Sequence, residues 1–249
     1  MEYAGDTRTG LVRSVNQDSI LVLNKGELSL FVVADGMGGH AEGEKASKAI
    51  TENLRIGWKH IEEKHDEWNF QRLVTVVRNY IEQANTYIYK NYNDNAVCGS
   101  TVSALLLYKK NYAVFHVGDS RIYKLEKRKL NQLTMDEVWE NDIMTRKKFT
   151  TQEIVNSSKK GKLINAVGTT PELSITIKTD SLDEEALFLL CSDGLYKMVK
   201  SRAIVRVMKR MNKGASVRVG IDALMNEAYN AGAKDNVSVI VVKTREIEC

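Results

Sequence analysis

The sequence contains one proline and three cysteines among its 249 residues, and both scarcities restrict the class of protein. Cys98, Cys191 and Cys249 are odd in number, far apart and without the spacing of a metal site, so a disulfide framework is not expected. No segment approaches the roughly 20 apolar residues that a membrane helix needs, and the N-terminus lacks the apolar centre of a signal peptide. We therefore expect a cytoplasmic protein with no membrane contact.

The chain also lacks a strong excess of charge of either sign, because it has 36 basic and 32 acidic residues and a net charge of +4. This mild excess requires neither nucleic acid nor an acidic membrane as a partner, and we expect neither. Basic residues concentrate at 145–149, 157–162 and 206–213, where a solvated face and the steering of an anionic substrate both fit the pattern. With 43% hydrophobic residues the chain can bury a sizeable core, and we expect a single domain over residues 1–249.

The apolar residues change their period along the chain, which predicts a mixture of strands and helices. Short runs rich in Val, Ile and Leu indicate buried strands. Residues 18–36 are predicted to form two strands joined by a turn and residues 99–133 a meander of strands, with single strands at 173–178, 186–191 and 237–243. Apolar spacing of i, i+3, i+4 and i+7 predicts two helix pairs, at 44–61 with 70–91 and at 202–211 with 216–229. We predict an α+β fold of four layers, α-β-β-α, in which two antiparallel β-sheets are flanked by helix pairs.

The polar segment 134–161 fits neither period. Loops of this length are usually either functional or disordered. Two alternatives therefore stay open at this point, a flap over a site and a mobile surface excursion.

Aspartates stand at the boundaries of five predicted strands. A single aspartate at a strand end is most often a turn former, but strand ends of a sandwich gather at its two ends, so several carboxylates are expected to converge. Converging carboxylates repel one another and need cations, and Mg²⁺, Mn²⁺ and Ca²⁺ prefer such oxygen ligands. The five are Asp18, Asp35, Asp119, Asp193 and Asp235.

A glycine-rich stretch follows the second of these aspartates, with four glycines within residues 36–43. Either a tight turn or a close approach of backbone to an ion explains it, and the carbonyl of Gly36 is a candidate ligand. Zinc is disfavoured, because the four histidines show no ligand spacing. A pair of hard ions about 3.5–4 Å apart activates water for attack on phosphorus, and Arg13 and Arg121 are candidate clamps for the phosphate.

Six segments, in this order and spacing, resemble the PP2C-type, metal-dependent protein serine/threonine phosphatases of bacteria. The resemblance spans nearly the whole chain, and six ordered motifs are far more specific than "DGMGG" alone. The segments are "RSVNQDS" (13–19), "VADGMGGH" (33–40), "GSTVSALL" (99–106), "VGDSRIY" (117–123), "LLCSDGLYKMV" (189–199) and "AGAKDNVSVIVV" (231–242).

The resemblance implies a β-sandwich with a binuclear Mn²⁺ or Mg²⁺ centre in a cleft at one end, and a flap at 134–161 beside it. Asp35 would bridge both ions and Gly36 would add its carbonyl. Asp193 and Asp235 would hold one ion, and Asp18 would act through water. It further implies that Asp119, with Asp193, supports a possible third ion and that Arg13 grips the substrate phosphate.

Three departures from the family pattern limit what is transferred. Gln17 stands where many relatives have glutamate, so we expect a second ion held more weakly and more through water. Met37 stands where animal relatives carry a histidine that is thought to protonate the leaving group, and many bacterial relatives also have methionine there. The identity of the general acid therefore stays open. Residues 134–139, "TMDEVW", diverge from the usual flap pattern, so substrate preference is not transferred.

The resulting prediction is a phosphoric monoester hydrolase that dephosphorylates phosphoserine and phosphothreonine in proteins. Hydroxide held between the two ions would attack phosphorus directly, and Cys191 is expected in the core rather than as a nucleophile. The expected partners are phosphorylated proteins, among them a cognate serine/threonine kinase and its substrates, and we expect a monomer. Two alternatives are a non-catalytic phosphoprotein-binding module, disfavoured by the intact aspartates, and a phosphatase for a small metabolite.

Overall fold

The computed structural model describes residues 1–38, 42–63, 68–93, 97–126, 129–182 and 185–244. Its strands are β1 Glu2–Arg8, β2 Asp18–Lys25, β3 Leu28–Met37, β4 Gly99–Ser100, β5 Val102–Tyr108, β6 Asn111–Val117, β7 Arg121–Glu126, β8 Lys129–Gln132, β9 Thr176–Ser181, β10 Leu187–Cys191 and β11 Val237–Lys243. Its α-helices are α1 Glu42–Glu63, α2 Phe70–Tyr92, α3 Ile143–Lys148, α4 Thr151–Asn156, α5 Asp193–Tyr196, α6 Ser201–Asn212 and α7 Val217–Asn230, with a 3₁₀ turn at Trp139–Asn141.

The strands form two antiparallel sheets. The first has the order β1-β11-β10-β7-β8, and the second has the order β2-β3-β5-β6-β9, with β4 paired to the end of β3. Helices α1 and α2 cover the second sheet, and α6 and α7 cover the first. This architecture confirms the predicted α+β fold of two antiparallel sheets with flanking helices.

Alternation of side chains along each strand divides the core into layers. In β3, Val32 packs toward α1 and α2 while its neighbour Phe31 points between the sheets. In β10, Leu189 and Cys191 pack toward α6 and α7 while Phe188 lies between the sheets. Because the central strands β3, β5, β6, β10 and β11 are apolar on both faces, the middle of each sheet is buried on both sides. Burial also raises the pKa of the Cys191 thiol, so this residue is part of the core as expected.

The four predicted helices are confirmed to within two residues at each end. Their apolar faces are long enough to give a clear period, and Asn69 fixes the start of α2 by accepting a hydrogen bond from the backbone of Arg72 at 3.0 Å. No helix in the described part of the chain combines the length and the apolar character needed to cross a bilayer.

One predicted strand is misplaced, and one strand of the structure was not predicted. The strand expected at 173–178 is β9, Thr176–Ser181, a largely exposed edge strand held to β6 by its backbone. Leu173 and Ile175 pack on the core just before it, so the apolar run does not coincide with the strand. Strand β1 was not predicted at all, since "EYAGDTR" has little apolar content, yet it pairs with β11 over its full length.

Segment 134–161 is more regular than its sequence indicates. It contains the 3₁₀ turn, α3 and α4, and both helices begin at a side-chain cap. Asp142 accepts a hydrogen bond from the backbone of Thr145 at 2.8 Å, and Thr150 forms a capping box with Glu153. Six-residue helices are too short to display a helical period, which explains why the pattern was missed.

Candidate active site

Two of the five aspartates face each other across the β2–β3 ladder. Asp18 opens β2 and is the direct register partner of Asp35 near the end of β3. Side chains of opposed residues in an antiparallel pair have Cβ atoms about 4.5–5.5 Å apart. The backbone of Asp35 is fixed from the other side, because its N–H donates to Thr101 Oγ1 at 3.0 Å. Two carboxylates are thus placed side by side at one end of the sandwich.

Asp18 reaches across to the other sheet. Its Oδ2 accepts hydrogen bonds from Ser192 Oγ at 2.7 Å and from Ser238 Oγ at 2.6 Å, which lie at the end of β10 and in β11. Its Oδ1 is buried and has no hydrogen-bond partner in the described structure. A buried carboxylate oxygen without a donor is costly, so this atom is directed at a position that suits a cation.

The other three aspartates lie at the same end of the sandwich, each beside a positively charged side chain. Asp193 begins α5 directly after β10, and its Oδ2 is 2.5 Å from Lys197 Nζ. Asp119 lies in the turn between β6 and β7, and its Oδ2 is 3.3 Å from the same Lys197 Nζ. Asp235 precedes β11 and accepts a hydrogen bond from Arg13 at 2.8 Å. The predicted convergence of the five aspartates is therefore present in the structure.

The electrostatics of the cleft show how closely these groups interact. Burial raises the pKa of Asp35 well above its ordinary value, and repulsion by the other four carboxylates raises it further. Burial likewise raises the pKa of Asp18 to about 6, against the opposing hydrogen bonds from Ser238 and Ser192. The pKa of Asp119 is raised by burial and by Asp193, with Lys197 opposing. The cleft is thus short of positive charge.

Arg13 lies at the mouth of the cleft on the loop between β1 and β2. Its side chain is 52% exposed, and its pKa is raised first by the hydrogen bond to Asp235 and then by the charge of that carboxylate. The loop is anchored by Asn236, whose amide donates to the carbonyls of Thr9 at 2.8 Å and Val15 at 2.9 Å. The same side chain accepts from the backbone of Gln17 at 2.9 Å. A guanidinium is thereby held beside the carboxylates with part of its surface facing solvent.

Arg121 is not available as a phosphate clamp, which corrects the sequence analysis. Its guanidinium makes a double hydrogen bond to Asp136, with contacts of 2.9 and 2.6 Å, and also donates to Tyr123 Oη at 2.9 Å. Its Cζ lies 3.5 Å from the ring centre of Tyr196, so it stacks on that ring. These partners fix the orientation of the guanidinium toward Asp136 and Tyr123, so Arg121 supports the wall of the cleft.

Gly36 is required by close packing of the backbone. A Cβ at this position would collide with the carbonyl oxygens of Gly43 and Gln17, at the start of α1 and just before β2. Gly36 also donates its N–H to the Gln17 carbonyl at 3.1 Å. Strand β3, helix α1 and the loop before β2 therefore meet next to Asp35, which brings the backbone close to the carboxylates.

The donor atoms of the cleft fit hard divalent ions. Within the described ranges, no three acidic, histidine or cysteine side chains surround a common point tightly enough to hold an ion as they stand. Three of the carboxylates are instead engaged by side-chain cations, Asp119 and Asp193 by Lys197 and Asp235 by Arg13. The unpartnered Asp18 Oδ1 and the raised pKa values nevertheless show a site that gains from added cations. Carboxylate oxygens are also the donor type that Mg²⁺ and Mn²⁺ prefer.

Sequence reasoning missed the residues that orient this site. Ser192, Ser238 and Asn236 each stand next to, or within three residues of, a predicted aspartate, but nothing in their residue type marks them out. Lys197 carried a stronger signal, because it follows Asp193 by four residues, the spacing of an ion pair along a helix. That helix, α5, has only four residues and was not predicted.

The sequence pattern of the family described as Protein phosphatase 2C matches residues 11–226, which is most of the chain. The chain belongs to the Protein phosphatase 2C family. Its members include the bacterial phosphatases that the sequence motifs resemble, so the expected family is confirmed.

Similar proteins and structures agree with this PP2C assignment. The serine/threonine phosphatase stp of Listeria welshimeri is 28% identical over 241 residues, which cover 95% of this chain and 93% of the relative. The protein phosphatase PhpP of Streptococcus pneumoniae is 28% identical over 249 residues, covering 99% and 98%. The crystal structure of the catalytic domain of the phosphatase PstP with two manganese ions matches with a TM-score of 0.76, 28% identity and 96% coverage of both chains.

Proposed function

We propose that the carboxylate cleft is the active site at which this chain removes phosphate from phosphoserine and phosphothreonine in proteins. The chain is a protein serine/threonine phosphatase by its family. The single observation that supports this location is the convergence of five carboxylates with Arg13 at one end of the sandwich. The intact carboxylates favour an enzyme over a binding module of the same fold.

We propose that two divalent ions, Mn²⁺ or Mg²⁺, bind here. Asp35 would contact both, with the Gly36 carbonyl beside it, and Asp193 and Asp235 would hold one of them. Asp18 would act through water. The family and the two manganese ions of the PstP structure support metal dependence. When bound, such a pair of ions lowers the pKa of water and so supplies the nucleophile for attack on phosphorus.

The side chains of the chain itself then have separate tasks. Arg13 would bind the phosphate oxygens of the substrate, since a guanidinium matches them in both charge and shape. In the absence of substrate it pairs with Asp235, so it stays near the cleft. Ser192 and Ser238 hold Asp18 in one orientation through its Oδ2, and leave Oδ1 directed inward. The ions would thus meet preoriented ligands.

The identity of residue 17, a glutamine, affects how tightly the second ion would be held. Gln17 contributes a neutral amide where many relatives carry glutamate, and its backbone already binds Asn236, Ser47 and Gly36. We infer that this ion is held with less protein charge and through more water, and therefore more weakly. Met37 supplies no proton, so the general acid of the reaction is a group other than residue 37.

Segment 134–161 is proposed as a flap beside the cleft. Its first residues attach next to Asp119, because the backbone of Glu137 donates to the Gly118 carbonyl at 2.7 Å and its carboxylate accepts from the Gly118 N–H at 3.0 Å. Its cations Arg146, Lys147 and Lys148 would favour phosphorylated, acidic protein surfaces. We propose phosphoproteins in the cytoplasm as substrates, including a cognate serine/threonine kinase and its targets, and a monomeric enzyme.

The test is hydrolysis of p-nitrophenyl phosphate with Mn²⁺, with Mg²⁺ and after chelation, for the wild type and Asp193→Ala. Asp222→Ala is the matched control, because Asp222 is an exposed aspartate on α7 outside the cleft. We expect metal-dependent turnover in the wild type and the control, and loss by a factor of about 100 or more in Asp193→Ala, the size usual for removal of a preorganised charged group.

Phosphopeptides and phosphorylated metabolites are then compared as substrates. Faster turnover of phosphoserine and phosphothreonine peptides supports the proposal. Faster turnover of metabolites would assign the small-molecule alternative. A folded protein that binds Mn²⁺ yet hydrolyses none of these compounds would indicate a binding module instead.

A further inference from the structure

Lys197 is a half-exposed cation at the edge of the proposed metal centre, and its ammonium contacts two of the carboxylates of that centre. It follows α5, one turn after Asp193, and its Nζ lies 2.5 Å from Asp193 Oδ2. The same Nζ lies 3.3 Å from Asp119 Oδ2, which belongs to the turn between β6 and β7. One ammonium thus bridges two carboxylates from separate parts of the chain.

The surroundings hold this bridge in place. The hydroxyl of Tyr196 donates to Asp119, 3.2 Å from its Oδ2, and Arg121 stacks on the Tyr196 ring at 3.5 Å. Arg121 is itself tied to Asp136, so the wall behind Asp119 is braced by an ion pair. The Asp119 and Asp193 side chains are only 8% and 17% exposed. Both carboxylates are therefore positioned before any ion arrives, and Lys197 is the cation that lies between them.

These two carboxylates are the ones to which the family resemblance assigns a possible third, looser ion. A divalent ion and an ammonium cannot both sit between the same two oxygens, because like charges at about 3–4 Å repel strongly in a half-buried cleft. The lysine is tethered by four residues to its partner, so it competes at high effective concentration with an ion from solution. A loosely held ion is the one that such a competitor excludes.

We propose that the ammonium of Lys197 replaces the third divalent ion in this chain. The inference rests on the proposed function, because it takes the two-ion centre of Asp35, Asp193 and Asp235 as given. Asp193 would then help to hold one ion of the pair while its Oδ2 remains paired with Lys197. The enzyme works with two exchangeable ions and one cation encoded in its sequence.

The test counts Mn²⁺ ions by equilibrium dialysis, independently of turnover. Lys197→Met keeps an unbranched side chain of similar length and removes the charge. Lys200→Met, at the start of α6, is the matched control. We expect two ions per chain in the wild type and in the control, and one further, weaker ion in Lys197→Met. Adding Asp119→Asn to Lys197→Met is expected to remove that further ion again.

Thermal unfolding gives a second readout. The melting temperature of Lys197→Met is expected to keep rising at Mn²⁺ concentrations that already saturate the wild type, because the added site binds only the folded chain. Three ions in the wild type, or equal ion numbers in the wild type and Lys197→Met, would overturn the inference while leaving the two-ion site standing. A wild type that binds no ion and hydrolyses no phosphate ester would instead overturn the proposed function, and this inference with it.

Discussion

At the scale of single residues, the site is defined by carboxylates that are held against their electrostatic preference. Asp18 is buried, opposed by Asp35 across the ladder, and satisfied on one oxygen only. Such an arrangement costs stability when both groups are ionised, and the cost is recovered when cations bind. The stability of the chain and its affinity for divalent ions are therefore linked through this residue.

In metal-free protein, Asp18→Asn is expected to raise the free energy of unfolding at pH 7.5 by about 3 kcal/mol, because the rise in the Asp18 pKa on folding corresponds to a free energy of that order. The folded pKa of Asp18 is about 6 and its ordinary value is 3.8, so the folded state binds more protons between these values. Wild-type stability thus gains from this group as the pH falls from 6 toward 4. The variant lacks that gain. Urea unfolding with chelator at pH 7.5 and pH 5 measures the difference.

Asp222→Asn is the control for this measurement, since Asp222 lies exposed on α7 and its substitution should leave the pH dependence unchanged. Mn²⁺ should reverse the order of stability, because the wild type offers the ion one more carboxylate. A wild type and an Asp18→Asn variant with the same dependence on pH would contradict the assignment.

Arg13 can be tested through substrate affinity. Arg13→Ala is expected to lower kcat/KM for p-nitrophenyl phosphate about 10- to 100-fold, the effect of losing one charge-assisted hydrogen bond. The melting temperature should change little, because the side chain is half exposed. Arg206→Ala, which removes an equally exposed arginine paired with Glu227 on the helical side, should leave kcat/KM unchanged. Equal effects of both substitutions would show that Arg13 acts only through overall charge.

At the scale of elements, the loop from Thr9 to Gln17 depends on one buried amide. Asn236 binds three backbone groups of that loop and so couples the position of Arg13 to the start of β11. Two further hydrogen bonds hold the loop, from the Leu11 N–H to the Ala233 carbonyl at 2.8 Å and from the Gly10 N–H to Tyr229 Oη at 3.1 Å. The proposed binding of phosphate by Arg13 is thus coupled to Asn236, which lies behind the loop.

Asn236→Ala is expected to reduce the free energy of unfolding by about 2–3 kcal/mol, because buried backbone groups lose their partners. Limited digestion with trypsin should also become faster at Arg13, since the loop opens more often. Asn131→Ala removes an amide that binds exposed Glu126, and it should alter neither quantity. Unchanged digestion at Arg13 in Asn236→Ala would mean that the other contacts of the loop hold it without Asn236.

The elements also show which parts of the fold were readable from sequence. The helices α1, α2, α6 and α7 and the buried strands were predicted because burial on a defined face imposes a period. Strand β1 was not predicted and β9 was misplaced, since neither strand has a buried residue and both are held by backbone hydrogen bonds that leave no apolar pattern. In the site, the aspartates were found by their place at strand ends. Ser192 and Ser238 were not, because the residue they orient, Asp18, lies in a distant segment, and Lys197 was not, because the four-residue helix α5 shows no helical period.

At the scale of the whole molecule, the two sheets share an apolar interior formed by side chains such as Phe31, Phe188 and Ile240. Phe188→Ala is expected to cost about 3–5 kcal/mol, the usual loss for a fully buried aromatic ring. A single unfolding transition should be retained, as predicted for one domain. Urea unfolding followed by fluorescence and by circular dichroism measures both properties.

Val219→Ala is the control for this change, because Val219 is 63% exposed on α7 and should shift stability by less than about 0.5 kcal/mol. Separate transitions in the two optical signals for Phe188→Ala would mean that the sheets unfold independently. The expectation of a single domain would then be wrong.

The pairing of β1 with β11 has a consequence for protein synthesis. In its sheet, β1 is bonded to β11 alone, and β11 follows it by more than 200 residues in the chain. The ribosome therefore releases the first strand long before its neighbour exists, and Ser238, one of the two hydroxyls that orient Asp18, arrives with that neighbour. A nascent chain cannot assemble the cleft, so dephosphorylation begins only once translation has passed β11.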